Sequence, residues 1–226
     1  MEHAYLAYVR EYLTAHGADR GNAPGQRFRS RADHCARVSM WAERLMAQGA
    51  NMDGDTLRLA AAFHDVGYAR GAEDHGRHSA DILHEYAFVH GMDARIVERA
   101  AFLVAEHSNK AEWLTKEGAP ADLVLLMEAD LLDEEGAMGL ARDCLGAGEC
   151  GASYADAYAR MLQYEPKRLS ANPMVTPVAR CLWAGKQRVI AMFMAALAHD
   201  LGMEYPPSDS DPYAAPEEVP AWIRRN

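Results

Sequence analysis

The sequence predicts an all-α protein of roughly eight to ten helices. Three observations carry that reading. Apolar residues recur at helical spacing along most of the chain. No hairpin signal appears between alternating runs. Two segments, TLRLAAAFHDV and DLVLLMEADLLD, are apolar on several faces at once, as helices at the centre of a bundle are.

In chain order, residues 3–16 form an amphipathic helix. The loop GADRGNAPGQRFRSR follows, with arginines at 20, 27, 29 and 31. A long helix is predicted from Ala32 to Gln48, with Val38, Trp41, Leu45 and Met46 on its inner face. NMDGD is a break, and Asp55 is the expected N-cap of the third helix. That helix carries the stretch AAFHDV and should end at Gly67. Further helices are expected over 75–90, 94–107, 121–132, 134–146 and 153–164. A proline-containing connection, Pro166 to Pro177, then leads to a long helix over 178–201. The last stretch holds five of the ten prolines and cannot be a long helix, though Trp222 and Ile223 could anchor its end. With no internal repeat and no linker in view, the expected organisation is a single domain over 1–205 and a Pro-rich tail over 206–226.

Composition narrows the function. The 226 residues are half apolar and one quarter charged, with a formal charge of -10 and a pI near 5.4. Such an acidic chain is not built as a general nucleic-acid binder, which needs a basic face for phosphates. A small phosphorylated substrate stays open, because a metal ion can supply local positive charge. The first residues lack the pattern of a signal peptide. The longest apolar run, VIAMFMAALA, is about half a membrane span and reads as a core helix. Cys35, Cys144, Cys150 and Cys181 form no C-x-x-C pair, so they read as reduced thiols of a cytoplasmic protein.

Chemistry concentrates in a few positions. His34 lies early in the second helix, His64 and Asp65 end the apolar third, and Asp130 sits among leucines in LLMEADLL. A buried carboxylate is costly unless paired or bound to metal. One dication would satisfy Asp65 and Asp130 together, with His34 and His64 as neutral ligands. A mixed nitrogen and oxygen set with open positions suits Mn, Fe, Ni, Co or Zn, and Mg enters as a hard-ion option. A second His-Asp pair, His199-Asp200, reads as a helix end without function.

The order and context of these residues (DHCARV, AAFHDVG, MEADLLDEEGA) resemble the HD superfamily of metal-dependent phosphohydrolases. The resemblance covers about residues 32–142. It implies an HD-domain helical bundle, a divalent metal held by His34, His64, Asp65 and Asp130, and hydrolysis of a phosphate ester, often a nucleotide, by metal-activated water. Asp65 is the residue on which catalysis would turn. Many members carry a second metal, which points here to His75 and His107 as extra ligands with Asp65 bridging. His78 is the rival to His75, three residues on and nearly on the same face. The number of ions, one or two, follows from that choice.

Around this set, Arg27, Arg29, Glu73, Asp74 and Lys186 are candidate substrate contacts. Arg37 is expected to pair with an acid, His84 and His90 to be structural or exposed, and the role of Arg142 is open. Two other readings share the same ligands: a di-iron oxygenase of the HD type, and a non-catalytic metal- or nucleotide-binding regulatory domain.

Overall fold

Ten α-helices make up the regular structure of the described residues, in a computed structural model that describes 4–47, 53–170, 172–203 and 205 (backbone only for 165–170). They are α1 (Ala4–Ala15), α2 (Arg31–Met46), α3 (Gly54–Phe63), α4 (His75–His90), α5 (Ala94–Glu106), α6 (Lys110–Trp113), α7 (Ala121–Glu134), α8 (Ala137–Glu149), α9 (Tyr154–Ser170) and α10 (Pro177–Asp200). A 3-10 turn over Val66–Ala69 lies between α3 and α4. Among the described residues there is no strand, only one bridge pairing Arg20 with Ser30. No described helix is long and apolar enough to cross a membrane. Residues 206–226, including Trp222 and Ile223, lie outside the described part.

The main core is built by α1, α2, α3, α4, α5 and α7, and the first turns of α10 close it. Leu13, Val38, Leu57, Phe63, Leu83, Leu103, Leu126 and Met127 are fully buried there. Each such side chain contributes roughly 1.5–3 kcal/mol on burial. A smaller cluster joins α8, α9 and the second half of α10 through Leu140, Tyr158, Met161, Ile190 and Met194.

The start of α2, which carries His34, is anchored by hydrogen bonds. Ser30 caps the helix by accepting from Asp33 N, and its hydroxyl donates to Asp19 Oδ1 at 2.8 Å. The same Asp19 oxygen accepts from Ala32 N at 3.0 Å. On α7, the buried Glu128 carboxylate accepts from the backbone N–H groups of Val175 and Thr176 at 2.6 and 2.7 Å. Thr176 in turn caps α10, so Glu128 pins the start of the last helix onto the core.

Three local expectations are corrected, and one short helix is added. The cap of α3 is Asp53, not Asp55: Asp53 is extended and accepts from Asp55 N, whereas Asp55 already lies in the first turn and pairs with Arg58. Gly67 does not end that helix. The helix stops at Phe63, and Gly67 falls in the 3-10 turn. The helix α9 continues through Pro166 to Ser170 rather than stopping at 164; the proline costs it one backbone hydrogen bond. The one-turn helix α6 went unforeseen, being too short for a periodic signal.

Gly67 has a different duty from the one expected. A Cβ there would meet His75 O at 2.0 Å and Ser79 N at 2.5 Å, so only glycine lets the turn lie against the first turn of α4. Ser79 fastens the contact: its hydroxyl accepts from Gly67 N at 2.7 Å and donates to His64 O at 2.8 Å. The backbone on both sides of Asp65 is thereby tied to α4. Because backbone atoms cannot rotate away, Gly67→Ala is expected to cost about 3 kcal/mol, seen as a lower urea midpoint with an unchanged slope; wild-type stability in that variant would refute the close packing.

Candidate metal centre

Four histidines and two aspartates from five different segments of the chain meet at one place. His34 comes from α2, His64 and Asp65 from the end of α3, and His75 opens α4. His107 caps the end of α5, and Asp130 lies in α7. His64 is fully buried, and His34, His107 and Asp130 are nearly so.

Each histidine has one ring nitrogen tied away from the centre. His64 Nδ1 donates to Ala61 O at 2.9 Å, His107 Nδ1 to Val104 O at 2.7 Å and His75 Nδ1 to Ala72 O at 3.3 Å. His34 Nδ1 donates to Asp133 Oδ2 at 2.8 Å. A carbonyl or carboxylate oxygen can only accept, so the hydrogen must sit on Nδ1 and the Nε2 lone pair faces inward. Those lone pairs confront each other: His34 and His64 Nε2 lie 3.2 Å apart, His75 and His107 Nε2 3.4 Å apart. Two lone pairs at that separation repel unless a proton or a metal ion lies between them.

The distances divide the cluster into two lobes. In the first, His34 Nε2 lies 3.2 Å from Asp130 Oδ1 and 3.7 Å from Asp65 Oδ2, and His64 Nε2 lies 4.0 Å from Asp130 Oδ1. In the second, Asp65 Oδ1 lies 3.4 Å from His107 Nε2 and 3.5 Å from His75 Nε2. Ligands that share one ion at about 2.1 Å sit roughly 3.0–4.2 Å apart, according to the angle between them. Both lobes fit that range, and Asp65 offers one oxygen to each. Two ligand triplets, His34 with His64 and Asp130, and His64 with Asp65 and His107, keep their donor atoms within 4.8 Å of one another.

Residues 31–135 match the family model described as HD domain. The chain carries an HD domain. All six clustered residues lie inside the matched segment. Solved structures share the fold. The chain resembles Bacillus subtilis YpgQ in complex with ADP (21% identity, TM-score 0.62, covering 91% of this chain and 95% of that one). It also resembles the Lin1889 protein of Listeria innocua (17% identity, TM-score 0.61, 89% and 97%). A predicted HD superfamily hydrolase from an uncultured Thermotogales bacterium aligns at 18% identity (TM-score 0.58, 88% and 91%). No curated protein matches the chain in sequence.

Within the HD domain, His75 rather than His78 faces the second lobe. His78 turns toward Gly71, and its buried Nδ1 has no hydrogen-bond partner among the described residues. Arg29 lines the mouth above His34 and Asp65, together with Gln26, Arg31, Tyr68 and Glu134. Arg27 is drawn off to α8, where its backbone N–H donates to Glu149. Lys186 does not reach the cluster; its ammonium donates to Glu135 O at 3.1 Å and lies over the Trp41 ring. Glu73 and Asp74 are exposed in the loop before α4, and Asp74 holds a left-handed backbone (φ 52°). His84 pairs with Glu98, and His199 and Asp200 lie exposed at the end of α10.

Sequence reasoning missed three groups. Asp133 orients His34, and Arg37 grips the same carboxylate with two hydrogen bonds of 2.7 and 3.0 Å. Helical arithmetic could have found it: Asp133 follows Asp130, and Arg37 follows His34, by three residues each. Lys110 Nζ lies 2.7 Å from Asp130 Oδ2. Nothing local to its sequence marks it. Tyr68 stacks on the His75 ring at 4.4 Å, with the Arg31 guanidinium 4.0 Å from its own ring centre.

The buried acids dominate the protonation of this centre. Burial alone would lower His34, but hydrogen bonds to Asp130 and Asp133 push it up to about 10. Burial opposes charge on His64 as well, yet the adjacent Asp65 helps raise it to about 9. Asp65 and Asp130 are themselves held well below the usual carboxylate range: burial would raise them, but His64 prevails at Asp65 and His34 at Asp130. His75 is lowered chiefly by burial, with the nearby Asp65 opposing the shift. Without metal, protons on the His34–His64 pair answer the two acids.

Two outcomes follow. Metal binding near pH 7 displaces protons from rings whose pKa values lie above that pH. Affinity should therefore rise with pH, by about tenfold per unit for each proton displaced. Calorimetry of Mn or Zn binding in two buffers of different ionisation enthalpy should register this release; heats that do not depend on the buffer would contradict it. Asp133→Asn should weaken metal binding about 10–100-fold by loosening the His34 ring, as read by competition with a chelating dye.

Proposed function

We propose that the protein is a metal-dependent phosphohydrolase acting on a phosphate ester, with nucleotides among its substrates. The observation that carries this reading is the position of Asp65: its Oδ2 faces His34 Nε2 at 3.7 Å, and its Oδ1 faces the Nε2 atoms of His64, His75 and His107 at 3.4–3.8 Å. That arrangement suits a bridging carboxylate between two divalent ions. His34, His64, Asp65 and Asp130 would hold one ion; Asp65, His75 and His107 would hold the other. Bound there, divalent ions supply positive charge to the phosphoryl oxygens and lower the pKa of a water.

The chain's own residues do the rest. Asp133 and the carbonyls of Ala61, Ala72 and Val104 keep the four Nε2 atoms aimed inward. Asp130 holds the Lys110 ammonium beside the cluster, where it can meet a phosphoryl oxygen. Arg29 and Arg31 line the mouth and present cations to an anionic ester in a chain that is otherwise acidic. The low exposure of the cluster keeps bulk water away, which strengthens each of these attractions. The complex of YpgQ with ADP, a protein of the same fold, supports a nucleotide as substrate class.

A panel of phosphomonoesters, phosphodiesters and nucleotides, assayed with Mn, Co, Ni and Mg, tests the proposal. Hydrolysis should appear with at least one ion, vanish in EDTA and return on adding metal. Asp65→Ala should lower it by about a thousandfold or more, the scale of several kcal/mol of lost charge stabilisation. Activity indifferent to EDTA would defeat the proposal. So would protein that purifies with two tightly held irons, an EPR signal and O₂-dependent turnover of an organic substrate.

A further inference from the structure

A second and larger cavity adjoins the metal centre and has no part in the chemistry proposed above. Its volume is about 360 Å³, and the loop before α2 together with α8 and α9 forms its walls. Three guanidinium-bearing residues reach it, Arg29, Arg142 and Arg160, against a single acid, Asp143. In a chain with a formal charge of -10, that is a local reversal of sign.

The three arginines are not equally committed. Arg29 donates to Glu134 Oε1 at 2.7 Å, and Arg142 Nη1 approaches the same oxygen at 3.5 Å. Arg142 Nε also lies 3.4 Å from Asp143 Oδ1. Arg160 is exposed and makes no ion pair or hydrogen bond among the described residues. Glu134, shared by two guanidiniums, and Asp143, beside Arg142, face three arginines, the third of which has no partner among the described residues, so positive charge is in excess at the cavity. Arginine's planar fork matches phosphate and carboxylate oxygens in pairs.

The cavity shares a wall with the mouth of the metal centre. Gln26 and Arg29 line both this space and the smaller one, of about 150 Å³, above His34 and Asp65. The wall between loop and α8 is also a close backbone contact. A Cβ on Gly146 would lie 2.8 Å from Gly25 O, and Gly25 itself has a φ of 78°. The shape of the cavity is therefore set by packed main chain.

We propose that this cavity binds a second anionic group, phosphate or carboxylate, at the far end of a substrate whose reacting phosphate lies at the metal centre. The proposal rests on the phosphohydrolase reading and narrows it to elongated esters charged at both ends. Arg160 and Arg142 are the specificity-determining residues, and Arg29 is the link between the two anionic positions.

The test compares alkane bisphosphates of increasing spacer length, the matching phosphoalkanoates, and alkyl monophosphates. The wild-type, metal-loaded protein should favour a two-ended ester over its one-ended analogue in kcat/KM, with an optimum spacer. Arg160→Gln should reduce that preference about tenfold through KM, the worth of one charge-assisted hydrogen bond, and Arg160→Glu should reduce it further. Comparing the bisphosphates with the phosphoalkanoates tells which anion the cavity takes. No preference in the wild type, or a preference that survives both variants, overturns the proposal. Its failure is separable from that of the hydrolase reading by titrating EDTA-treated protein with inorganic phosphate at low salt. Saturable binding weakened by Arg160→Gln, without hydrolysis of any ester, supports the anion site and defeats the hydrolase. Hydrolysis without two-ended preference does the reverse.

Discussion

Two carboxylates set among apolar helices, Asp130 buried and Asp65 largely so, are the constraint on which the rest of this structure depends. Asp65 follows the fully buried His64 at the end of α3, and Asp130 lies in a helix where Leu126, Met127, Ala129 and Leu132 are all fully buried. Left alone, each would be neutralised by taking up a proton, or would destabilise the fold. The protein instead surrounds them with groups that accept or carry positive charge: four inward Nε2 atoms and the Lys110 ammonium. The raised pKa values of His34 and His64 are the sign of that demand in the absence of metal. A dication meets the same demand with more charge and a fixed geometry.

Rigidity follows from the same constraint, because an ion tolerates little error in its ligands. Helix α7 shows how this is arranged, with three buried acids given three separate tasks. Glu128 fixes the start of α10, Asp130 faces the centre, and Asp133 is clamped by Arg37 while it holds the His34 ring. The Ser79 hydroxyl bridges His64 O and Gly67 N, locking the Asp65 segment to α4 on either side. The arginine-bearing loop before α2 has a different character. It lines both the mouth and the neighbouring cavity, whereas the clustered histidines and aspartates lie within or at the ends of the packed helices.

Much of this was legible before the fold was known. The all-α class, nine of the ten helices and the six clustered histidines and aspartates follow from periodicity, from the cost of buried acids and from the resemblance of the motifs to HD proteins. The errors have local physical causes. Asp55 looked like a cap because a cap needs only the right residue type near a helix start, and Asp53 satisfies that rule better by two residues. Pro166 looked like a stop, yet α9 spends one hydrogen bond and continues. Lys110 and Lys186 show the limit most clearly. Lys110 follows a turn and Lys186 lies within the last long helix, and only the first reaches the centre, since a long flexible side chain takes its partner from whatever the packing brings near.

By itself, the sequence determined which residues can bind metal and that they lie on buried helices. Residue type sets donor chemistry, and hydrophobic periodicity sets burial. Only the tertiary structure decided how those donors are grouped. His75 and His78 are three residues apart on one helix, and the motif's position favours His75 with His78 as its rival. The tight contact of α4 with the Gly67 turn aims His75 at Asp65 and His107, and sends His78 toward Gly71. The side-chain direction of one helical residue relative to another element depends on how the two elements pack, and that information is spread over every contact between them.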